Sequence, residues 1–241
     1  MSESIDLALE EKLDALDPLR HLRNDDEQDI VPLQPPSVLN QTVELTFPTT
    51  ACPPNSIVVR LSVDASPGCG GIVWPAGEVL SRYIARRGPL EGKCILELGS
   101  GTGLVGLVAG KLGATAYITD QAPLLESMDR NVLMNDLVQS VNVLELNWGE
   151  PLPTDIPPFD LILAADCVYF EPAFPLLVQT LDQLATRGDP EILFCYRKRR
   201  KADKRFFTLL KKKFSWLEVD DDPDKPVYSR EAITLLRLAH R

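Results

Sequence analysis

The sequence predicts an α/β protein with a doubly wound, mostly parallel sheet and a β-hairpin in front of it. Three observations carry that prediction. From residue 76 onward, short buried-strand patterns alternate with helical periods. A glycine turn, Gly99-Ser-Gly-Thr-Gly103, joins the first of those strands to a helix. An acid, Asp120, ends the next strand.

The elements follow in order. Residues 1–40 read as a partly ordered acidic arm, with Ile5, Leu7, Leu9, Leu13 and Leu16 at helical spacing and Pro32, Pro35 and Pro36 as breakers. The remainder, 41–241, reads as one domain. Its first part is a hairpin of strands 42–47 and 56–63, with Pro53, Pro54 and Asn55 turning between them. Helical period runs over 76–86 and stops before Gly88-Pro89. Strands are predicted at 94–98, 115–119, 141–144, 161–165 and 191–196. Helices are predicted at 103–112, 124–135, 173–186 and 201–214. Residues 227–229 and 232–238 are expected to close the sheet as a strand pair, which brings it to seven strands.

The length of 241 residues suits one larger core, which needs neither disulfide nor metal to be stable. The five cysteines (Cys52, Cys69, Cys94, Cys167, Cys195) are odd in number, scattered and free of C-x-x-C pairs. Reduced thiols in a cytosolic or nuclear compartment are therefore expected. The only histidines are His21 and His240, so no zinc spacing exists and no metal is expected. The first twenty residues lack the basic start and apolar stretch of a signal peptide, and no apolar run reaches membrane-spanning length.

Net charge is −10, unevenly distributed. Residues 1–30 carry ten acids and three bases, whereas residues 197–213 carry ten bases and one acid. The global balance argues against a general nucleic-acid binder. The basic segment has three readings: a solvated face, a nuclear-localisation composition, or a rim for an acidic patch of a protein substrate.

Chemistry concentrates at the glycine turn. Glycines permit left-handed backbone and leave no Cβ, so a ligand can approach the main chain. In an open α/β sheet, ligands sit beyond the carboxyl ends of the strands. Asp120 lies 17 residues past Gly103, where a carboxylate can accept from both ribose hydroxyls of an adenosine. Asp is also a good helix N-cap, and one residue could serve both purposes. Gly101-Thr-Gly-Leu-Val-Gly106 also satisfies the dinucleotide pattern. Two features favour S-adenosylmethionine (SAM) over NAD. The acid Glu97 stands two residues before the first glycine, placed to orient the loop or reach a ligand's ammonium end. No Y-x-x-x-K pair exists, the nearest case being Tyr196 with Arg200.

With these residues in view, the chain resembles the methyltransferase-like 21 family of protein-lysine methyltransferases. It is most similar to fungal members that methylate translation elongation factor 1A. The resemblance covers roughly residues 68–214. Its anchors are Gly71 to Leu80, Leu96 to Gly103, Asp120, Asn147-Trp-Gly149, Phe159 to Tyr169, and Arg197 to Phe207. It implies a Rossmann-like, seven-strand class I SAM-dependent methyltransferase fold. It also implies SAM as cofactor, a protein substrate (elongation factor 1A) and a cytoplasmic enzyme, for which a monomer is expected.

The resemblance assigns roles residue by residue. Trp74, which alone would read as core, packs near the methionine end of SAM. Trp148 covers adenine, since an indole can shield a purine face. Gly99, Ser100, Gly101 and Gly103 form the cofactor turn, and Ala165 offers backbone contact through its small side chain. Asp166-Cys-Val-Tyr169 resembles the D-x-x-Y motif of seven-strand protein methyltransferases, with Asp166 near the incoming amine and Tyr169 shaping the acceptor mouth. From the residues alone, Asp166 could instead cap a turn and Tyr169 pack on the next helix. The rival functional readings are a small-molecule N-methyltransferase, an NAD(P)-dependent oxidoreductase and a non-enzymatic partner-binding protein with a vestigial SAM site, against which the intact Glu97, glycines, Asp120 and Asp166 argue.

Overall fold

The computed structural model describes residues 41–49, 56–64, 69–199, 201 and 203–241. The expected acidic arm and the hairpin turn at Pro53, Pro54 and Asn55 lie outside these residues. Strands β1 (Gln41–Pro48) and β2 (Ser56–Val63) pair antiparallel, in register from Gln41 opposite Val63 to Pro48 opposite Ser56.

The main sheet has seven strands: β3 (Cys94–Leu98), β4 (Thr115–Asp120), β5 (Val141–Glu145), β6 (Leu161–Ala165), β7 (Glu191–Arg197), β8 (Phe214–Glu218) and β9 (Ile233–His240). Their spatial order is β5-β4-β3-β6-β7-β9-β8. The first five run parallel, and β9 is antiparallel to both β7 and β8. The winding reverses between β3 and β6, which is the switch point where open α/β sheets hold ligands.

Among the described residues, six helices accompany the sheet: α1 (Pro75–Arg87), α2 (Leu104–Lys111), α3 (Ala122–Met134), α4 (Phe174–Ala185), α5 (Asp203–Leu210) and the short α6 (Lys225–Tyr228). Through most of the core, predicted and observed ends agree within about two residues, the ordinary spread of helix and strand boundaries.

Strand alternation sorts the core into two layers. Ile95, Leu163, Leu193 and Cys195 face one side and meet Leu80 and Ile84 of α1, Leu107 and Val108 of α2, and Met128 and Val132 of α3. Leu96, Ile162 and Phe194 face the other and meet Leu177 and Leu181 of α4 and Phe206 and Leu210 of α5. The hairpin lies outside the first helical layer and contributes Phe47, Ile57, Val59 and Leu61 to the same core. Burying one such side chain contributes about 1.5–3 kcal/mol, so the hairpin is an integral layer of the domain.

The segment from residue 201 to 241 corrects the sequence reading. The helix expected over 201–214 ends at Leu210. The basic run closes it with tight bonds, Lys212 N to Leu209 O at 3.1 Å and Lys213 N to Leu210 O at 3.0 Å. Phe214 then begins β8, because Phe214 and Trp216 two residues apart share one face and pack into the core. The strand expected at 227–229 is instead helical, α6 followed by a 3₁₀ turn at Ser229–Glu231. Asp222 and Asp224 start that helix by taking Lys225 N and Val227 N on their carbonyls. Pro226 stands in the first turn, where its missing N–H costs nothing. The partner of β9 is therefore β8.

Candidate active site

A cavity of about 700 Å³ opens at the carboxyl ends of the parallel strands, over the switch point. Segments following β3, β4, β5, β6 and β7 all reach it, together with the chain entering α1. The residues predicted from sequence that line it are Trp74, Glu97, Gly99, Ser100, Gly101, Asp120, Trp148, Ala165, Asp166 and Tyr169. Gly103 stands apart from the lining. It begins α2, and a Cβ there would meet Ile118 Cδ1 of β4 at 2.8 Å.

The turn is built to leave bare backbone. Gly101 has φ +54°, and an added Cβ would stand 2.6 Å from the Gly70 carbonyl oxygen, a backbone atom with no room to yield. Only glycine satisfies both demands. Ser100 stitches the turn to β4: its N–H donates to Thr119 O at 2.9 Å, and its Oγ accepts from Thr119 N at 2.9 Å.

Glu97 points from β3 toward the start of α2 and is 3% exposed. Its Oε2 accepts from Gly106 N at 2.8 Å. Since Gly103 at the cap position has no side chain to offer, Glu97 supplies from another element the oxygen that a capping residue would provide. Burial pushes its pKa up to about 8, against the pull of the Gly106 and Val105 amides. Gly106 allows this approach: a Cβ there would lie 2.1 Å from Ile118 Cγ2 and 3.0 Å from Glu97 Oε2.

Asp120 uses both oxygens on backbone. Oδ2 accepts from Gly101 N and Oδ1 from Gln121 N, each at 2.8 Å. The residue capping α3 is Gln121, without a side-chain bond, so Asp120 faces the turn. Burial raises its pKa despite these two bonds. Trp148 lies beyond β5 and approaches Gly99 so closely that a Cβ would stand 2.9 Å from its Cζ2. The loop holding it is fixed by Gly149 N donating to Thr180 Oγ1 at 2.9 Å.

The lining also includes Trp74, Asp166 and Tyr169. Trp74 is extended, as a residue before proline must be, and Pro75 opens α1. Asp166 is buried at a left-handed φ of +54°. Its Oδ2 accepts from Ala76 N at 3.2 Å, and its Oδ1 from Arg197 N at 3.2 Å and Arg199 Nη1 at 2.9 Å. The Arg199 guanidinium also lies over the Trp74 ring, 5.4 Å from its centre.

Sequence reasoning missed Arg199 as a site residue, because it is one of ten bases between 197 and 213. It also missed Cys167, whose buried thiol donates to Leu98 O at 3.3 Å beside the turn. Burial holds that thiol well above its ordinary pKa, so it stays protonated and serves as a small packing group. Among the described residues, no group of three or more His, Cys, Asp or Glu is placed to hold a metal ion, and no helix is long and apolar enough to cross a membrane.

Comparison with known proteins bears on this site. The chain is 39% identical over 242 residues to Protein-lysine N-methyltransferase EFM6 of Saccharomyces cerevisiae, covering 88% of this chain and 96% of that protein. It is 43% identical over 183 residues to Protein N-lysine methyltransferase METTL21A of Danio rerio, covering 73% and 83% of the two. Among solved structures, the T. thermophilus 16S rRNA methyltransferase RsmC, in complex with AdoMet and guanosine, aligns with a TM-score of 0.56 at 18% identity. That alignment covers 86% of this chain and 52% of that one, and it speaks for the fold alone. Residues 54–213 match the lysine methyltransferase family. The match spans well over half of the sequence, and the chain therefore belongs to that family, as a protein-lysine N-methyltransferase that uses SAM.

Proposed function

We propose that the substrate is translation elongation factor 1A, methylated on a lysine in the cytoplasm by this enzyme acting as a monomer. The resemblance of residues 68–214 to fungal enzymes with that substrate supports the choice of protein. The compartment is supported by the unpaired thiols of Cys94, Cys167 and Cys195. The single observation that carries the acceptor assignment is the cluster in the cavity lining in which Arg199 pairs with Asp166 and lies over the Trp74 ring, with Tyr169 lining the same cavity.

The cavity fits the cofactor on its own features. Gly99 and Gly101 present main chain where any Cβ would collide, Asp120 sets a carboxylate on the rim, and Trp148 closes the end beyond β5. In the proposal, the turn from Gly99 to Gly103 with Ser100 cradles the cofactor and Asp120 takes its ribose. Trp148 covers its adenine, Ala165 offers backbone, and Glu97 and Trp74 bound its methionine end. SAM supplies a sulfonium methyl group whose leaving group needs no activation. What remains for the protein is position and an uncharged amine, with attack distance near ~3–3.5 Å.

Free lysine holds its proton to a pKa near ~10.4. An aromatic mouth of Trp74 and Tyr169 disfavours the ammonium by desolvation. A carboxylate has about four acceptor positions. Asp166 uses two on Oδ1 and one on Oδ2, which leaves Oδ2 one position to receive an N–H of the acceptor and relay its proton.

The test is initial-rate kinetics with purified elongation factor 1A and methyl-labelled SAM. Label on one lysine of the factor supports the reading, and label on other proteins of a cell extract but not on the factor overturns the substrate. Asp166→Asn and Tyr169→Phe are expected to lower kcat with SAM binding kept. Full kcat in both would end the acceptor assignment.

A further inference from the structure

Helix α3 does more than cover the sheet. Asn131 and Asn135, one turn apart, address the free edge of hairpin strand β2. Asn131 Oδ1 accepts from Ser62 N at 2.7 Å, and its Nδ2 donates to Ser62 O at 3.3 Å. Asn135 repeats the pattern on Arg60, taking its N–H at 3.0 Å and donating to its carbonyl at 2.6 Å. The spacing explains why two asparagines suffice. Four residues of helix rise about 6 Å, and two residues of strand advance about 6.7 Å. Carboxamides at i and i+4 thus meet alternate strand residues, each offering a donor and an acceptor as a neighbouring strand would.

The two asparagines differ in one respect. Asn131 is fully buried, and its Nδ2 also donates to Thr102 O at 2.9 Å. Thr102 lies between Gly101 and Gly103 and lines the cavity. Asn135, at the C-cap of α3, makes its further bond to the Asn131 carbonyl one turn back. One side chain therefore ties the hairpin edge directly to the glycine turn.

We propose that Asn131 is a positioning residue for cofactor binding, which couples docking of the hairpin to the conformation of the glycine turn. The proposal rests on the assignment of that turn to SAM and needs no protein substrate. Without Asn131, the Thr102 carbonyl loses its buried donor and the turn is free to leave the geometry that glycine permits. Without Asn135, the hairpin loses a comparable pair of bonds but the turn keeps its own. By reciprocity, bound cofactor must in turn hold the hairpin edge closed.

The experiment measures SAM affinity by calorimetry on the full chain in wild type, Asn131→Ala, Asn135→Ala and Gly101→Ala. Asn131→Ala is expected to raise Kd about tenfold, the loss of one buried hydrogen bond, and Asn135→Ala to leave it within about twofold. Unchanged affinity in Asn131→Ala, or an equal rise in both asparagine variants, overturns the coupling. Wild-type affinity in Gly101→Ala removes the turn assignment instead. Hydrogen exchange of wild type covers the case of a variant that does not fold. SAM is expected to slow exchange at the Ser62 amide, and an unchanged rate there overturns the proposal.

Discussion

Asp166 and Arg199 form an ion pair with 2.9 Å between Oδ1 and Nη1, their side chains 4% and 9% exposed. The pair joins the loop after β6 to the segment after β7. Two charges so enclosed are held by mutual attraction and by the Ala76 and Arg197 amides that complete the carboxylate's bonds. Removing one partner strands the other. Arg199→Met is expected to destabilise the fold by about 3–5 kcal/mol in urea titration. Arg199→Lys keeps the charge but loses the planar face over Trp74 and should fall between. Equal stability of all three proteins would show that the pair contributes nothing.

Glu97 predicts a pH dependence. Its folded pKa of about 8 lies above the ordinary 4.5, so the native state holds the proton more tightly than the unfolded chain. The contribution to stability is full below about pH 4.5, shrinks as pH rises and is gone above about pH 8. Glu97→Gln has no such proton. The stability of the variant minus that of wild type should rise by a few kcal/mol, as an order of magnitude, between pH 4.5 and pH 8. A difference that stays flat across that window in thermal unfolding would refute it.

Asp120 gives an affinity prediction. Each carboxylate oxygen takes one backbone N–H, from Gly101 and Gln121. In Asp120→Asn one of those donors must face an NH₂ group. Loss of a charge-assisted bond is worth about 1.5–3 kcal/mol, so Kd for SAM should rise roughly 10- to 100-fold. Calorimetry reads this directly, and an unchanged Kd would separate Asp120 from the cofactor.

Gly106 yields a stability prediction free of catalysis. A methyl group there meets Ile118 Cγ2 at 2.1 Å, so Gly106→Ala must push α2 off β4. Overpacking of this kind costs about 1–3 kcal/mol. Gly106→Ala with Ile118→Val removes one methyl from β4 without freeing Cγ2, and Gly106→Ala with Ile118→Ala opens the space. By urea unfolding, the cost of Gly106→Ala measured against each matching single variant is expected to persist in the Ile118→Val background and to shrink in the Ile118→Ala background, whose own cavity cost is about 2–5 kcal/mol.

The sequence made the first five strands of the sheet legible because each carries an apolar run bounded by turn residues. Chemistry at their carboxyl ends was legible for a related reason: glycines and isolated acids stand out against such runs. Arg199 did not stand out, because its neighbours are equally basic and only folding selects which of them turns inward. Asn131 and Asn135 fall in the predicted helix 124–135 without standing out, because an asparagine in a helical period looks the same whether it faces water or a strand edge. Phe214 was absorbed into the preceding helix because a strand of five residues offers too few alternations to outweigh the helical period before it.

The order of strands across the sheet also sets an order in time. β9 lies between β7 and β8 although it follows both in sequence. During synthesis β7, with Ile192, Leu193, Phe194 and Cys195 already apolar and sheet-ready, waits with one edge unpaired until residues 233–240 leave the ribosome. β8 waits as well, since among the described residues its strand partner is β9. A nascent chain stalled before residue 233 therefore carries an open, adhesive edge. Any lesion that shortens β9 should register first as a failure of proteostasis, with the protein lost to chaperones and degradation, although every residue lining the cavity is still encoded.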